Sequence, residues 1–253
     1  MLGDLIQLNL FAFFLIFARI GTVFMLMPGI GTAYVPMNIR LVIALAVCFI
    51  LTPFLSASLP GMPKSGIDLM LILLAEVIIG AFFGLIARIT VGALQTAGTL
   101  ISLFASLANA MVRDPIAEQQ SSLIATFLSL VGLVLIFVTD MHHLMIRSVI
   151  ESYSLFIPGQ PLAFGDFSEV LSRRVAESFE LGVQLASPFL LAAIVYYLGL
   201  GILGRLMPVL PVFIVVMPLQ IMAQLGFLMV ILSAMMMYFL SRFEDAIIVF
   251  LEP

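Results

Sequence analysis

The feature that most constrains the fold is a series of long apolar runs separated by short polar connections. The first run, residues 5–27, is long enough to cross about 30 Å of hydrocarbon as a helix before Pro28 and Gly29 end it. Five others follow, at residues 39–55, 69–89, 123–138, 181–203 and 212–240. Because 63% of residues are hydrophobic and only 9% charged, the sequence predicts an all-α integral membrane protein. No stretch is polar enough to form a separate domain, so residues 1–253 are expected to form one unit.

Composition also bounds the chemistry. The ten basic residues are scattered without a cluster, which argues against a nucleic-acid partner. Cys48 is the sole cysteine, which excludes an intramolecular disulfide and a cysteine-built metal site. No nucleophile or acid–base pair stands out, so we expect neither an enzyme nor a cofactor.

A polar stretch at residues 109–122, which we call the central interruption, divides the apolar sequence near its middle. Pro115 removes a backbone donor and disfavours a helical conformation at Asp114, so the sequence predicts a loop here. Lipid tolerates such backbone only where protein or a water-filled cavity surrounds it. The surroundings of this stretch are therefore the main functional question.

Several apolar runs contain charged residues, among them Arg19, Glu76 and Arg88. A buried arginine costs at least about 2.5 kcal/mol on membrane-insertion scales, so Arg19 should face protein or water, or else reach a headgroup. Glu76 and Arg88 are twelve residues apart, about 18 Å along a helix, and cannot pair with each other. Each needs a partner on another segment or another chain.

Small residues recur at every fourth position in two places. Gly80 and Gly84 follow Glu76, and a second stripe comprises Gly98, Ser102, Ser106 and Ala110. Such stripes let helix backbones approach closely, so we expect packing faces whose hydroxyls are satisfied across the interface.

The last third of the sequence predicts a charged surface helix at residues 166–180 and two kinked helices. Pro188 and Pro218 interrupt their apolar runs. Pro218 frees the carbonyl near Ile214, for which the Gln220 amide or a partner chain is the candidate donor.

The adjacent residues His142 and His143 invite a metal interpretation. Neighbouring histidines on a helix point about 100° apart, no His-Glu-x-x-His spacing occurs, and the chain has no third histidine. The sequence therefore argues against a metal site and favours an interfacial helix end.

The order of several features resembles that of the FliR family of type III export-gate proteins. They are the early Arg19 helix ending in Pro28-Gly29, the Arg113-Asp114-Pro115 interruption, the Asp140-Met-His-His-Leu helix, the Pro158-Gly159 turn, Gly204-Arg-Leu-Met-Pro208, and Met217-Pro-Leu-Gln220. Together they cover essentially the whole chain.

The resemblance implies bent helical hairpins packed in a helical hetero-oligomer with FliP and FliQ homologues, on which an FlhB homologue docks. It implies a channel in the bacterial inner membrane, in the flagellar basal body, for unfolded export substrates. Arg19, Glu76, Arg88 and Arg205 would meet neighbouring subunits. The segment that plugs the pore in the family would map onto about residues 106–122 here. Its candidate residues are Asn109, Met111, Arg113, Asp114, Pro115, Ile116, Glu118, Gln119 and Gln120.

Three alternatives remain open. The first is a virulence type III secretion subunit of the same family, which shares much of the pattern. The second is a stand-alone secondary transporter, which predicts an internal repeat that the sequence lacks. The third is an intramembrane protease, whose residues are missing.

Overall fold

The computed structural model describes residues 2–56, 59–106, 111–113, 120–160, 164–206 and 212–251. In these residues the chain forms seven helices and one short hairpin. The helices are α1 (Leu2–Leu26), α2 (Met37–Leu55), α3 (Gly66–Phe104), α4 (Leu123–Val138), α5 (Met141–Leu155), α6 (Phe164–Leu206) and α7 (Val212–Ile248). The strands are β1 (Met111–Arg113) and β2 (Gln120–Ser122). The prediction of an all-α membrane protein is confirmed, because four of the described helices are long and apolar enough to cross a membrane. A fifth span results if α4 and α5, which meet at a sharp bend, count as one.

Two helices are longer than the sequence predicted. The 39 residues of α3 contain both the run at residues 69–89 and the start of the second small-residue stripe. The 43 residues of α6 contain the predicted surface helix and the following apolar run. Charged side chains on a solvated face do not interrupt a helix, so the polarity change near residue 180 is not a boundary. Pro188 and Pro218 lie inside α6 and α7, which continue through them. Their kinks stay predictions.

The central interruption separates α3 from α4 as predicted, but its ends are not loop. β1 pairs with β2 in antiparallel register, with Met111 opposite Ser122 and Arg113 opposite Gln120. The prediction of a loop is therefore wrong for these six residues. Cross-strand pairing satisfies backbone donors and acceptors that an open loop would leave to solvent.

The chain packs as two compact units, each assembled from separate segments. Unit 1 comprises Met1–Thr90, Thr139–Val175 and Glu244–Pro253, and unit 2 comprises Val91–Val138 and Ala176–Phe243. The core of unit 1 includes the edge-to-face aromatic rings of Phe82, Phe83, Phe167 and Phe250. The core of unit 2 includes Leu94, Ile101, Leu128, Phe189 and Phe239. Helices α3, α6 and α7 contribute residues to both units, and the assignment of residues 1–253 to one domain stays a prediction.

Candidate functional site

The first polar site is a buried group in unit 1 that we call the arginine cluster: Arg19, Glu76, Ser152, Tyr153 and the carbonyl of Phe156. Arg19 on α1 has no exposed surface, and it faces the equally buried Glu76 on α3. Its Nε donates to Glu76 Oε2 at 2.6 Å, and its Nη2 donates to Glu76 Oε1 at 3.0 Å. This is the bidentate pairing that arginine forms with a carboxylate.

The remaining groups around Arg19 come from α5 and the residue that follows it. Nη1 donates to Ser152 Oγ and Nη2 to the Phe156 carbonyl oxygen, both at 2.9 Å. The guanidinium carbon lies 3.8 Å from the ring centroid of Tyr153, a cation–π contact. Four of the five N–H groups of Arg19 are therefore bonded, and the cluster joins α1, α3 and α5. A charge satisfied in this way works as a clamp between helices.

This geometry overturns two expectations about the charges. The prediction that Arg19 and Glu76 meet neighbouring subunits is wrong, since each is the other's partner within the chain. Arg19 also does not reach a headgroup, because it is fully buried. The sequence held one usable signal. Gly80 lies one turn beyond Glu76, and a Cβ atom there would collide with the carbonyl oxygen of Arg19.

Arg88 and Arg205 behave differently from Arg19. Both are exposed, Arg88 in the middle of α3 and Arg205 in the last turn of α6. Their assignment as charges that face partner chains stays a prediction.

The first small-residue stripe packs as expected, and its partner is within the chain. An added Cβ at Gly84 would lie 2.7 Å from the Cβ of Leu26, and one at Gly80 would lie 3.1 Å from the Cβ of Thr22. Both contacts are with α1. These two glycines therefore let α1 and α3 approach closely enough for the arginine cluster to form.

The packing face predicted for the second stripe is only partly confirmed. Gly98 packs against α4, where an added Cβ would lie 2.6 Å from the backbone nitrogen of Ala125. The Ser102 hydroxyl donates to Gly98 O in its own helix, at 2.9 Å, and not across the interface. Ser106 lies beyond the end of α3 with a left-handed φ of 61°, so it does not continue the stripe. Ala110 lies outside the described residues.

The second polar site, which we call the glutamine cluster, joins α3, α6 and α7 within unit 2. It comprises Ser106, Tyr197, Gln220 and the carbonyl of Phe104. The Gln220 Nε2 donates to the Phe104 carbonyl at 2.9 Å and to the Tyr197 hydroxyl at 3.3 Å. Ser106 Oγ donates to Gln220 Oε1 at 3.1 Å. Gln220 thus caps the last turn of α3, whose final carbonyls have no partner within the helix.

The predicted role of Gln220 is therefore wrong. Its amide serves the carbonyl of Phe104 rather than the one near Ile214, because the end of α3 lies beside this part of α7. One carbonyl close to Pro218 does have a donor: the Tyr196 hydroxyl donates to Val216 O at 2.9 Å.

The far side of the central interruption is fixed by Ser122. Its Oγ accepts a hydrogen bond from the Ala125 backbone nitrogen at 3.0 Å, which makes Ser122 the N-cap of α4. The same hydroxyl donates to Gly98 O at 3.3 Å, which ties the start of α4 to α3. Ser122 is therefore anchored to α3, whereas Ser106, before the interruption, bonds to Tyr197 on α6 and Gln220 on α7.

Most of the candidate plug residues lie outside the residues that the structure describes. Met111, Arg113 and Gln120 are described only as backbone in β1 and β2. The other candidates, Asn109, Asp114, Pro115, Ile116, Glu118 and Gln119, lie outside the described residues.

Sequence reasoning missed Ser122, Ser152, Tyr153 and Tyr197. Only Ser122 carried a recognisable signal, since a serine directly before an apolar run is a common helix N-cap. The others are polar residues scattered on apolar helices, and only the packing shows which of them meet. In both clusters the polar groups bond to each other across helices, which suits a role in fixing helix positions.

Comparison with known proteins relates nearly the entire chain to one family. The model of the bacterial export proteins, family 1, matches residues 10–246. The flagellar biosynthetic protein FliR of Caulobacter vibrioides is 36% identical over 93% of this chain and 94% of its own length. The flagellar biosynthetic protein FliR of Bacillus subtilis is 30% identical over 91% of this chain and 89% of its own length. The Yop proteins translocation protein T of Yersinia pestis is 24% identical over 100% of this chain and 96% of its own length.

Proposed function

The chain belongs to family 1 of the bacterial export proteins, and from this premise we propose that it is a subunit of the flagellar type III protein export gate. The observation that carries the proposal is similarity over almost the full length to flagellar biosynthetic proteins from two distant bacteria, at 36% and 30% identity. The gate subunit is a structural component of a channel and not an enzyme. In this role the chain helps unfolded flagellar proteins to cross the membrane.

The distribution of polar groups supports a structural role. The buried side chains of Arg19 and Glu76 bond to each other, and Arg19 also bonds to Ser152, which fixes α1, α3 and α5 together. The amide of Gln220 donates to the Phe104 carbonyl and so caps α3. The outer face of α2, in contrast, exposes apolar side chains such as Val42, Phe49 and Phe54. An apolar outer surface of this kind suits lipid or the apolar face of another subunit.

We infer that FliP and FliQ homologues cover part of this surface and that an FlhB homologue docks on the assembly. The location follows from the same role: the bacterial inner membrane, at the flagellar basal body. Arg88 and Arg205, exposed on α3 and α6, are two of the charges available to such partners. The unfolded export substrate passes through the assembled channel.

The central interruption is proposed as the plug of that channel. Its two ends are held by separate devices, the glutamine cluster before it and the Ser122 cap after it. The polar residues of the plug would face water in the lumen, while Met111 and Ile116 would press against apolar walls.

The test is a strain that lacks the gene for this chain and carries it, or an inactive variant, on a plasmid. Flagellar proteins secreted into the medium are quantified against their cellular levels, and swimming is scored. We expect secretion to disappear without the chain while cellular levels persist, and to return with the plasmid. Undiminished secretion in the deletion strain would contradict the proposal.

A virulence secretion subunit is the second candidate, because the Yersinia translocation protein aligns with the whole chain. The same strains separate the two, provided that both secreted flagellar proteins and secreted virulence effectors are measured. The higher identity of the flagellar relatives favours loss of the flagellar proteins.

A further inference from the structure

The break before α5 brings together one aspartate and the only two histidines of the sequence. Asp140 directly precedes α5, and His142 and His143 lie in its first turn. Each side chain offers one ligand atom, and these three atoms all lie within 4.8 Å of one another.

The rings of His142 and His143 lie side by side, although neighbouring side chains on a helix usually diverge. Their centroids are 4.0 Å apart and their planes are tilted by 37°. The left-handed φ of 59° at Asp140 turns the chain just before the helix begins. The aspartate thereby adds a carboxylate to a pair of imidazoles.

The carboxylate of Asp140 does not do what an aspartate at a helix start normally does. Such a residue usually accepts a hydrogen bond from a backbone N–H in the first turn, but Asp140 forms no side-chain cap. Its Oδ1 instead lies 3.4 Å from His143 Nδ1. That distance is longer than the usual N–H···O range of about 2.7–3.2 Å. Two ligands of a tetrahedral zinc ion, bonded at about 2.0–2.1 Å, lie about 3.3 Å apart.

We propose that Asp140, His142 and His143 bind a zinc ion, with water as the fourth ligand. Two imidazoles and a carboxylate suit zinc and similar transition metals, whereas Mg²⁺ and Ca²⁺ prefer oxygen ligands alone. The side chains of Asp140 and His143 are 76% and 69% exposed, whereas His142 is half-buried. The two exposed side chains can rotate to shorten the larger separations when the ion enters.

The bound ion fixes the first turn of α5. The same helix carries Ser152 and Tyr153 of the arginine cluster near its other end. Zinc and the arginine cluster therefore hold opposite ends of one helix within unit 1.

The experiment uses the full-length chain, purified in detergent with a tag that contains no histidine. Zinc binding is measured by competition with a chromophoric chelator, for the wild type and three variants. The variants are His142→Gln/His143→Gln, Asp140→Asn and, as the matched control, Asp166→Asn, which changes an exposed aspartate in the first turn of α6. Cu²⁺ serves as a spectroscopic probe of the same site, because nitrogen hyperfine splitting in its EPR spectrum counts the coordinated imidazoles.

We expect one zinc per chain for the wild type and for Asp166→Asn. Asp140→Asn replaces a direct ligand, so it should weaken zinc binding at least about tenfold, the smallest loss typical even for an outer-shell partner. The double histidine variant should lose it, and bound Cu²⁺ should show two nitrogens in the wild type. Thermal unfolding without metal should be the same for all four proteins, and zinc should raise Tm only where it binds. Equal zinc binding by the wild type and the double variant, no binding by the wild type at micromolar free zinc, or splitting from a single nitrogen would overturn the proposal.

Discussion

The arginine cluster and the glutamine cluster do similar work with different chemistry. Each joins three helices through the side chain of one long polar residue, Arg19 or Gln220. The first is ionic, and its Arg19 and Glu76 are fully buried, whereas the second is neutral and includes Tyr197, which is 46% exposed. Removing one partner of a buried ion pair leaves a buried charge without a counter-ion. Removing one partner of a neutral hydrogen bond leaves only an unpaired polar group, which costs less free energy. The difference indicates a rigid clamp in unit 1 and a weaker fastening beside the central interruption in unit 2.

The largest effect should come from Glu76→Gln, because it leaves the buried Arg19 charge without a counter-ion. We expect a loss of about 3–5 kcal/mol in the free energy of unfolding. Glu151→Gln is the matched control, since Glu151 forms an exposed ion pair with Arg147 one turn away, worth only about 0.3–0.5 kcal/mol. The measurement is thermal stability of the purified chain in detergent, together with its abundance in membranes.

The double variant Arg19→Met/Glu76→Leu sharpens this test. Replacing both charges by apolar side chains removes the stranded charge, so stability should recover a large part of the loss. If the double variant and Glu76→Gln lose the same free energy of unfolding, the packing of the two side chains, and not their charge, stabilises unit 1.

Close helix contacts should give the next largest effect, and they occur in both units. Gly80→Ala would push a methyl group against the backbone of α1, and Gly98→Ala would push one against the backbone of Ala125 on α4. We expect each to cost about 1–3 kcal/mol. Gly92, on the same helix α3, has no atom within 4 Å of an added Cβ. Gly92→Ala should therefore stabilise the chain by about 0.5–1 kcal/mol, and a loss as large as that of Gly98→Ala would refute the close-contact explanation.

The smallest effect should come from the glutamine cluster. Gln220→Leu leaves the partly buried Phe104 carbonyl without its donor, which should cost about 1–2 kcal/mol. Gln224 provides the comparison one turn later on α7. It is also buried, but its Oε1 has no hydrogen-bond partner among the described residues. Gln224→Leu should therefore be neutral or stabilising in the same thermal measurement, and equal losses for both variants would show that the cap on α3 contributes nothing.

The sequence predicted the helices well because their apolar runs are long and their breaks carry proline or glycine. Prediction from the sequence failed where a contact forms between two residues that are far apart in the chain. Arg19 and Glu76 are 57 positions apart, and nothing in either run shows that α1 and α3 are neighbours. It also placed Ser106 in a helix, because every-fourth-residue spacing continues across a helix end that only the left-handed φ of Ser106 reveals. The convergence of Asp140 with His142 and His143 depends on the same kind of backbone turn.

The most direct test of the account is the permeability of the assembled complex when the proposed plug is removed. Residues 112–119 are deleted, or replaced by glycine and serine at constant length, and conductance is compared at matched abundance. If the interruption were an ordinary surface turn, shortening it would change only loop-closure entropy, by about 0.6 kcal/mol per doubling of length. We predict that both variants still assemble but let small ions and solutes through, because the side chains that seal the lumen are gone. Permeability equal to that of the intact complex would contradict the plug.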